Sequence, residues 1–138
     1  MTFQAGKTFI NLPVKDLKAT MDFFTALGFA FNTQFTNDNA ACLIINESTF
    51  AMLITEPLFR TFITKEIADA KSSTEVLVAL SVDSRSQVDE LMKIALASGG
   101  SPASDPQDHG FMYSRSFQDV DGHIWEVFYM DESAVPQG

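Results

Sequence analysis

Apolar and polar positions along this chain change period several times, and the changes come round twice. From Thr8 to Val14 the residues read as a strand that stops at Lys15-Asp16. Asp16 is placed to cap a helix whose apolar face is Leu17, Met21, Phe24 and Leu27, and Gly28 closes it. Strands are predicted next at Phe29–Phe35, Ala41–Ile45 and Phe50–Ile54, divided by turns rich in Asn, Asp, Glu and Ser.

The second half follows the same plan. Glu75–Val82 is a strand rich in Val and Leu. Ser84-Arg85-Ser86-Gln87 has capping-box spacing and starts a helix with Val88, Leu91, Met92 and Ala95 inward, ended by Gly99-Gly100. A loop is predicted over Ser101–Gly110, then strands at Phe111–Phe117 and Ile124–Met130. Aligning Val14-Lys15-Asp16 with Val82-Asp83-Ser84 superposes the two strand-to-helix corners. Between the halves, Phe59, Phe62, Ile63 and Ile67 fall at helical spacing, so a short helix is expected from about Pro57. It reads as a bridge, with a lid or a dimer contact as alternatives. The expected organisation is an α+β fold of two tandem β-α-β-β-type modules within a single domain: about 8–55 and 75–130, a bridge over 56–74, and a polar, frayed tail at 131–138.

Composition narrows the partners. The 138 residues carry 9 basic against 18 acidic side chains, a formal charge of −9 that repels phosphate backbones and anionic lipid. Nucleic acid and membrane partners are therefore not expected. No apolar run approaches the roughly 18 residues of a membrane span. The single cysteine, Cys42, has no internal disulfide partner, and the start of the chain lacks signal-peptide features; both fit the cytoplasm. Thirteen Phe residues can build a packed interior or an aromatic-lined pocket.

Few residues suggest chemistry. Glu126 sits inside the apolar run Ile124-Trp125-Glu126-Val127-Phe128-Tyr129, just after the turn Asp119-Val120-Asp121-Gly122-His123. An unpaired buried carboxylate costs several kcal/mol, so Glu126 faces a wet cavity, a metal, a ligand or a buried donor, unless its strand is an exposed edge. Tyr113 and Arg115 share one face of their strand, where they could orient an anionic ligand; Arg115 pairing with Glu126 is the structural alternative. His109 and His123 lie in Asp-rich loops and read as solvated or turn residues. Cys42, among Ala, Leu and Ile, reads as inert.

Three segments, taken in order, resemble the vicinal oxygen chelate superfamily of glyoxalase I, bleomycin-resistance proteins and extradiol dioxygenases. They are Asn11-Leu12-Pro13-Val14-Lys15-Asp16-Leu17 with Phe23-Phe24 and Leu27-Gly28-Phe29; Ala79-Leu80-Ser81-Val82-Asp83; and Asp119 to Glu126. Small bacterial proteins named predicted lactoylglutathione lyases look most similar. The resemblance implies paired β-α-β-β-β modules with sheets curled into a mixed-sheet barrel, a homodimer, and a small-molecule ligand. In metal-dependent members four strands each give one ligand, and the corresponding positions here are Phe9, Met52, Leu77 and Glu126. Only Glu126 keeps a ligand type, as metal ligand or as catalytic base. Strand alternation offers Asn11, in phase with Phe9, and Glu75, in phase with Leu77, as partial ligand-binding substitutes. Three readings follow: a lyase or dioxygenase using a divalent metal ion, a metal-free binding protein akin to bleomycin-resistance members, or a metal-free enzyme using Glu126 with Tyr113 or Asn11.

Overall fold

Asp16 opens the first helix as its position suggested: its Oδ1 accepts the Ala19 N–H at 3.1 Å, satisfying one of the donors a helix start leaves free. In the computed structural model, which describes residues 2–134, strand β1 (Thr8–Val14) leads into helix α1 (Leu17–Ala26). Gly28, at φ +102°, ends α1 in a Schellman turn. The Phe29 N–H reaches Phe24 O and the Gly28 N–H reaches Thr25 O, both at 3.0 Å. Strands β2 (Ala30–Asn32), β3 (Ala40–Asn46) and β4 (Thr49–Thr55) complete a four-stranded sheet in the order β1-β4-β3-β2. Strand β1 runs parallel to β4, and the remaining pairs are antiparallel.

After a short helix α2 (Glu56–Arg60), the plan repeats: β5 (Leu77–Ser81), α3 (Arg85–Ala97), β6 (Ser101–Asp108), β7 (Met112–Gln118) and β8 (Ile124–Met130). The second sheet has the order β5-β8-β7-β6, again with its first and last strands parallel. The chain divides into two units, Met1–Ile67 and Ala68–Gly138, each built around one sheet. The α+β fold of two β-α-β-β-β modules is thus as expected, but the sheets are two open four-stranded ones rather than a closed barrel.

Each sheet buries one face against its helix. In the first unit Leu12, Val14, Leu43 and Leu53 lie in the core together with Leu17, Phe23 and Phe24 of α1. In the second, Val78, Phe117, Trp125 and Val127 are buried together with Val88, Met92 and Ala95 of α3. The Ser84 hydroxyl caps α3 by accepting the Gln87 N–H at 3.1 Å. The Gln87 side chain returns to the Asp83 N–H at 2.9 Å, one residue earlier than in a standard capping box.

Four expectations are corrected. Ser101–Asp108 is not a loop but the edge strand β6: an outer strand tolerates Pro102 and Pro106 because its unpaired side needs no N–H. The strand predicted over Phe29–Phe35 is only Ala30–Asn32. Asn32 then caps a 3-10 turn (Thr33–Phe35) by accepting the Gln34 N–H at 3.0 Å. The bridging helix stops at Arg60, where the Thr61 hydroxyl bonds Leu58 O at 2.6 Å; Phe62 beyond it is exposed. Strand β5 begins at Leu77, so Glu75 precedes the ladder and its phase with Leu77 has no structural basis. Of the tail, Glu132–Ala134 forms a 3-10 turn, and 135–138 lie outside the described residues.

Candidate functional site

Alternation along β8 separates two sets of side chains. Trp125 lies opposite Phe117, Val127 opposite Arg115, and Tyr129 opposite Tyr113. This set faces α3, because Tyr113 donates its hydroxyl to Asp89 Oδ1 of that helix at 2.6 Å. Ile124, Glu126, Phe128 and Met130 therefore occupy the other face, with Ser114 and Ser116 of β7 and with Leu77 and Ala79 of β5. Glu126 is half-buried there, opposite Ser116 on one side and Ala79 on the other. Its carboxylate makes no hydrogen bond or ion pair within the described residues. Ser116 is itself buried and shares a 2.6 Å hydrogen bond with Ser104 of β6.

Tyr113 and Arg115 do share a strand face, but it is the opposite one from Glu126. Arg115 pairs with Asp89 at 3.1 Å, which replaces the expected alternative of an Arg115–Glu126 pair. The Tyr113 hydroxyl, helped by Arg115, holds the Asp89 carboxyl below its ordinary range, and Asp89 in turn raises the Tyr113 phenol. Beside them Arg85 grips Asp108 with two bonds of 2.8 Å, stacks its guanidinium 5.0 Å from the Tyr113 ring centre, and reaches Gly110 O at 3.1 Å. The Arg85 hydrogen bonds and the Gly110 N–H hold the Asp108 carboxyl far below the usual range. This network fastens the start of α3 to β6 and β7.

In the first unit the face away from α1 carries Phe9 and Asn11 of β1, Phe50 and Met52 of β4, and Cys42 of β3. Phe9 and Phe50 lie opposite each other with rings stacked at 5.0 Å and 17° between planes, and Lys7 Nζ lies 5.5 Å from the Phe50 ring centre. Asn11, opposite Met52, is exposed and reaches only Phe9 O, at 3.5 Å. Cys42 is buried, which pushes its thiol up.

Glu126 was the carboxylate to notice in the sequence, yet the one that organises the turn is Asp119. It is 4 % exposed. Its Oδ1 accepts the Asp121 and His123 N–H groups at 2.9 and 3.0 Å, and its Oδ2 accepts the Trp125 indole N–H at 3.0 Å. Burial raises its carboxyl above the ordinary range, opposed by His123 and by these donors. The signal was present in sequence: an Asp opening an Asp-Gly turn, with Trp six residues on, is an Asx turn with an indole in reach. His123 belongs to this turn, and the His109 N–H closes another by reaching Met112 O at 2.8 Å.

The four positions that the resemblance assigns to metal donors fall in two matching pairs. Phe9 and Met52 lie on one face of β1 and β4, two residues out of register, and Leu77 and Glu126 do the same on β5 and β8. A divalent transition ion asks for about three protein donors. Phe9 and Leu77 supply none, Met52 offers a soft thioether, and no group of three or more His, Cys, Asp or Glu gathers among the described residues. The side chains at these positions do not fit such an ion.

The sequence profile of the Glyoxalase/Bleomycin resistance protein/Dioxygenase superfamily matches residues 8–127. The chain belongs to this superfamily. Among solved structures, a hypothetical protein from S. aureus is 25% identical, with a TM-score of 0.79 over 92% of this chain and 95% of that one. A glyoxalase-related enzyme from Fulvimarina pelagi is 21% identical (TM-score 0.77; 95% and 91% covered). The fosfomycin resistance protein FosX from Listeria monocytogenes is 16% identical (TM-score 0.64; 100% and 97% covered). The last two show the superfamily fold. No protein of curated function matches the chain.

Proposed function

We propose that this chain is a small-molecule binding member of the glyoxalase superfamily that works without a resident transition metal, akin to bleomycin-resistance proteins. The stack of Phe9 on Phe50 carries this reading: a flat apolar surface stands where metal-dependent members place a donor. Stacked rings complement planar or amphipathic molecules, whereas lyase or dioxygenase chemistry calls for a Lewis acid that polarises vicinal oxygens. The likeness in fold to a fosfomycin resistance protein supports a small-molecule ligand. By analogy with the superfamily we place the protein as a homodimer, and by its unpaired cysteine in the cytoplasm.

Calorimetric titration of the purified protein with Ni²⁺, Zn²⁺ and Mn²⁺, after elemental analysis, tests the reading. No stoichiometric binding at micromolar concentration is expected, while a planar aromatic probe binds and is weakened by Phe9→Ala. Stoichiometric metal binding that vanishes in Glu126→Gln overturns it.

A further inference from the structure

We infer that the ligand is a planar aromatic carboxylate, its ring on Phe9 and its charge on Lys7, an assignment that rests on the metal-free binding reading above. Lys7, just ahead of β1, and Phe9 and Asn11 within it stand at alternate positions, and all three are exposed. Phe50, opposite Phe9 on β4, is 8 % exposed, whereas Phe9 is 49 % exposed, so the open ring surface is that of Phe9. Lys7 Nζ lies 5.5 Å from the Phe50 ring centre, which sets its ammonium beside that surface. Every one of these groups belongs to the first unit.

The arrangement selects among planar molecules. The contact with Phe50 leaves the charge of Lys7 intact, and neither ion pair of the first unit, Lys18–Asp22 or Arg60–Glu56, involves it. Lys65 is outside those pairs too; what marks Lys7 is the ring beneath its ammonium. A neutral ring stacked on Phe9 gains the apolar contact alone. A carboxylate at one end of the same ring adds a charge-assisted bond to Lys7, at a place where the rings exclude part of the water that would weaken it. An organic cation on Phe9 meets repulsion from the same ammonium. Beyond Phe9, the Asn11 carboxamide makes only its 3.5 Å contact with Phe9 O, so it can also bond a hydroxyl or carbonyl on the ring. The formal charge of −9 opposes every anion at long range, so the selection is local and made by Lys7.

The test is calorimetric titration of the intact protein with two matched probes, β-naphthoate and its neutral isostere β-naphthamide. A salt concentration of about 0.15 M screens the repulsion of charges more than about 8 Å away. Naphthoate is expected to bind about fivefold more tightly than naphthamide. Lys7→Gln should erase that preference, Lys7→Arg should keep it, and Phe9→Ala should weaken both probes. Naphthamide binding as tightly as naphthoate, or a preference that survives Lys7→Gln, overturns the carboxylate assignment and leaves the binding reading standing. If neither probe binds, both fall. The comparison of the two probes on the unaltered protein decides the matter by itself should a variant fail to fold.

Discussion

The 2.6 Å hydrogen bond from the Tyr113 hydroxyl to Asp89 fixes the facing of strand β7, and with it the separation of Tyr113 and Arg115 from Glu126. Residues that a one-dimensional reading could gather into one site occupy opposite faces of a sheet.

Removing Asp89 should therefore leave binding intact. Asp89→Ala is expected to cost less than about 1 kcal/mol, since the network it completes is largely exposed. Urea denaturation together with probe titration checks this. A large loss of probe affinity with stability unchanged would place the ligand on the helix side.

Asp108 gives a pH signature. Its folded carboxyl lies below the ordinary value of 3.8, so its contribution to stability is complete above that value and is lost as pH falls through the depressed folded value. Carbon-detected NMR titration should show Asp108 still ionised at a pH below the ordinary value of 3.8. In Arg85→Ala its midpoint should move up towards 3.8; an unmoved midpoint would show that Arg85 is not the cause.

Gly122 and Gly28 both have positive φ, at +96° and +102°, but differ in their surroundings. A Cβ at Gly122 would come within 3.0 Å of the Ala70 backbone, whereas at Gly28 nothing lies within 4 Å. Gly28→Ala should cost about 1 kcal/mol from backbone strain alone, and Gly122→Ala distinctly more. Paired thermal melts that rank the two the other way round would contradict the close packing of the turn.

Asp119→Ala leaves the buried Trp125 indole and two backbone N–H groups without their acceptor. A loss of about 3 kcal/mol or more is expected, read by guanidinium denaturation and Trp fluorescence. Glu126→Ala, on the other face, should cost little. Similar losses for the two would mean that Glu126 has a structural partner.

Cys42 is 1 % exposed and its thiol is raised by burial, so it should resist iodoacetamide while the protein is folded and react at once in urea. Rapid labelling of the native protein would show that β3 opens.

Much of this was legible from residues alone. Strands β1 and β8 and both helix caps follow from Thr8–Val14, Ile124–Met130, Asp16 and Ser84, because period and capping chemistry are local. Strand β6 was not legible, because Pro102 and Pro106 argue for a loop until the sheet order shows that the strand lies at an edge. The helix around Phe59 was overextended, since Phe62, Ile63 and Ile67 keep the spacing but the chain turns at Thr61. The facing of Glu126 against Arg115 depends on the register across the Asp119–His123 turn. A shift of one residue there would have put them together.

The repeated strand order has a consequence for change over time. Phe9, Met52, Leu77 and Glu126 occupy matching places in the two units, on the sheet faces turned away from the helices, and none is fully buried. Folding is secured elsewhere, by Phe23, Phe24, Trp125 and their neighbours against α1 and α3. A lineage can therefore rewrite all four positions, exchanging a donor for an aromatic ring or a carboxylate for an amide, without disturbing what keeps each module folded.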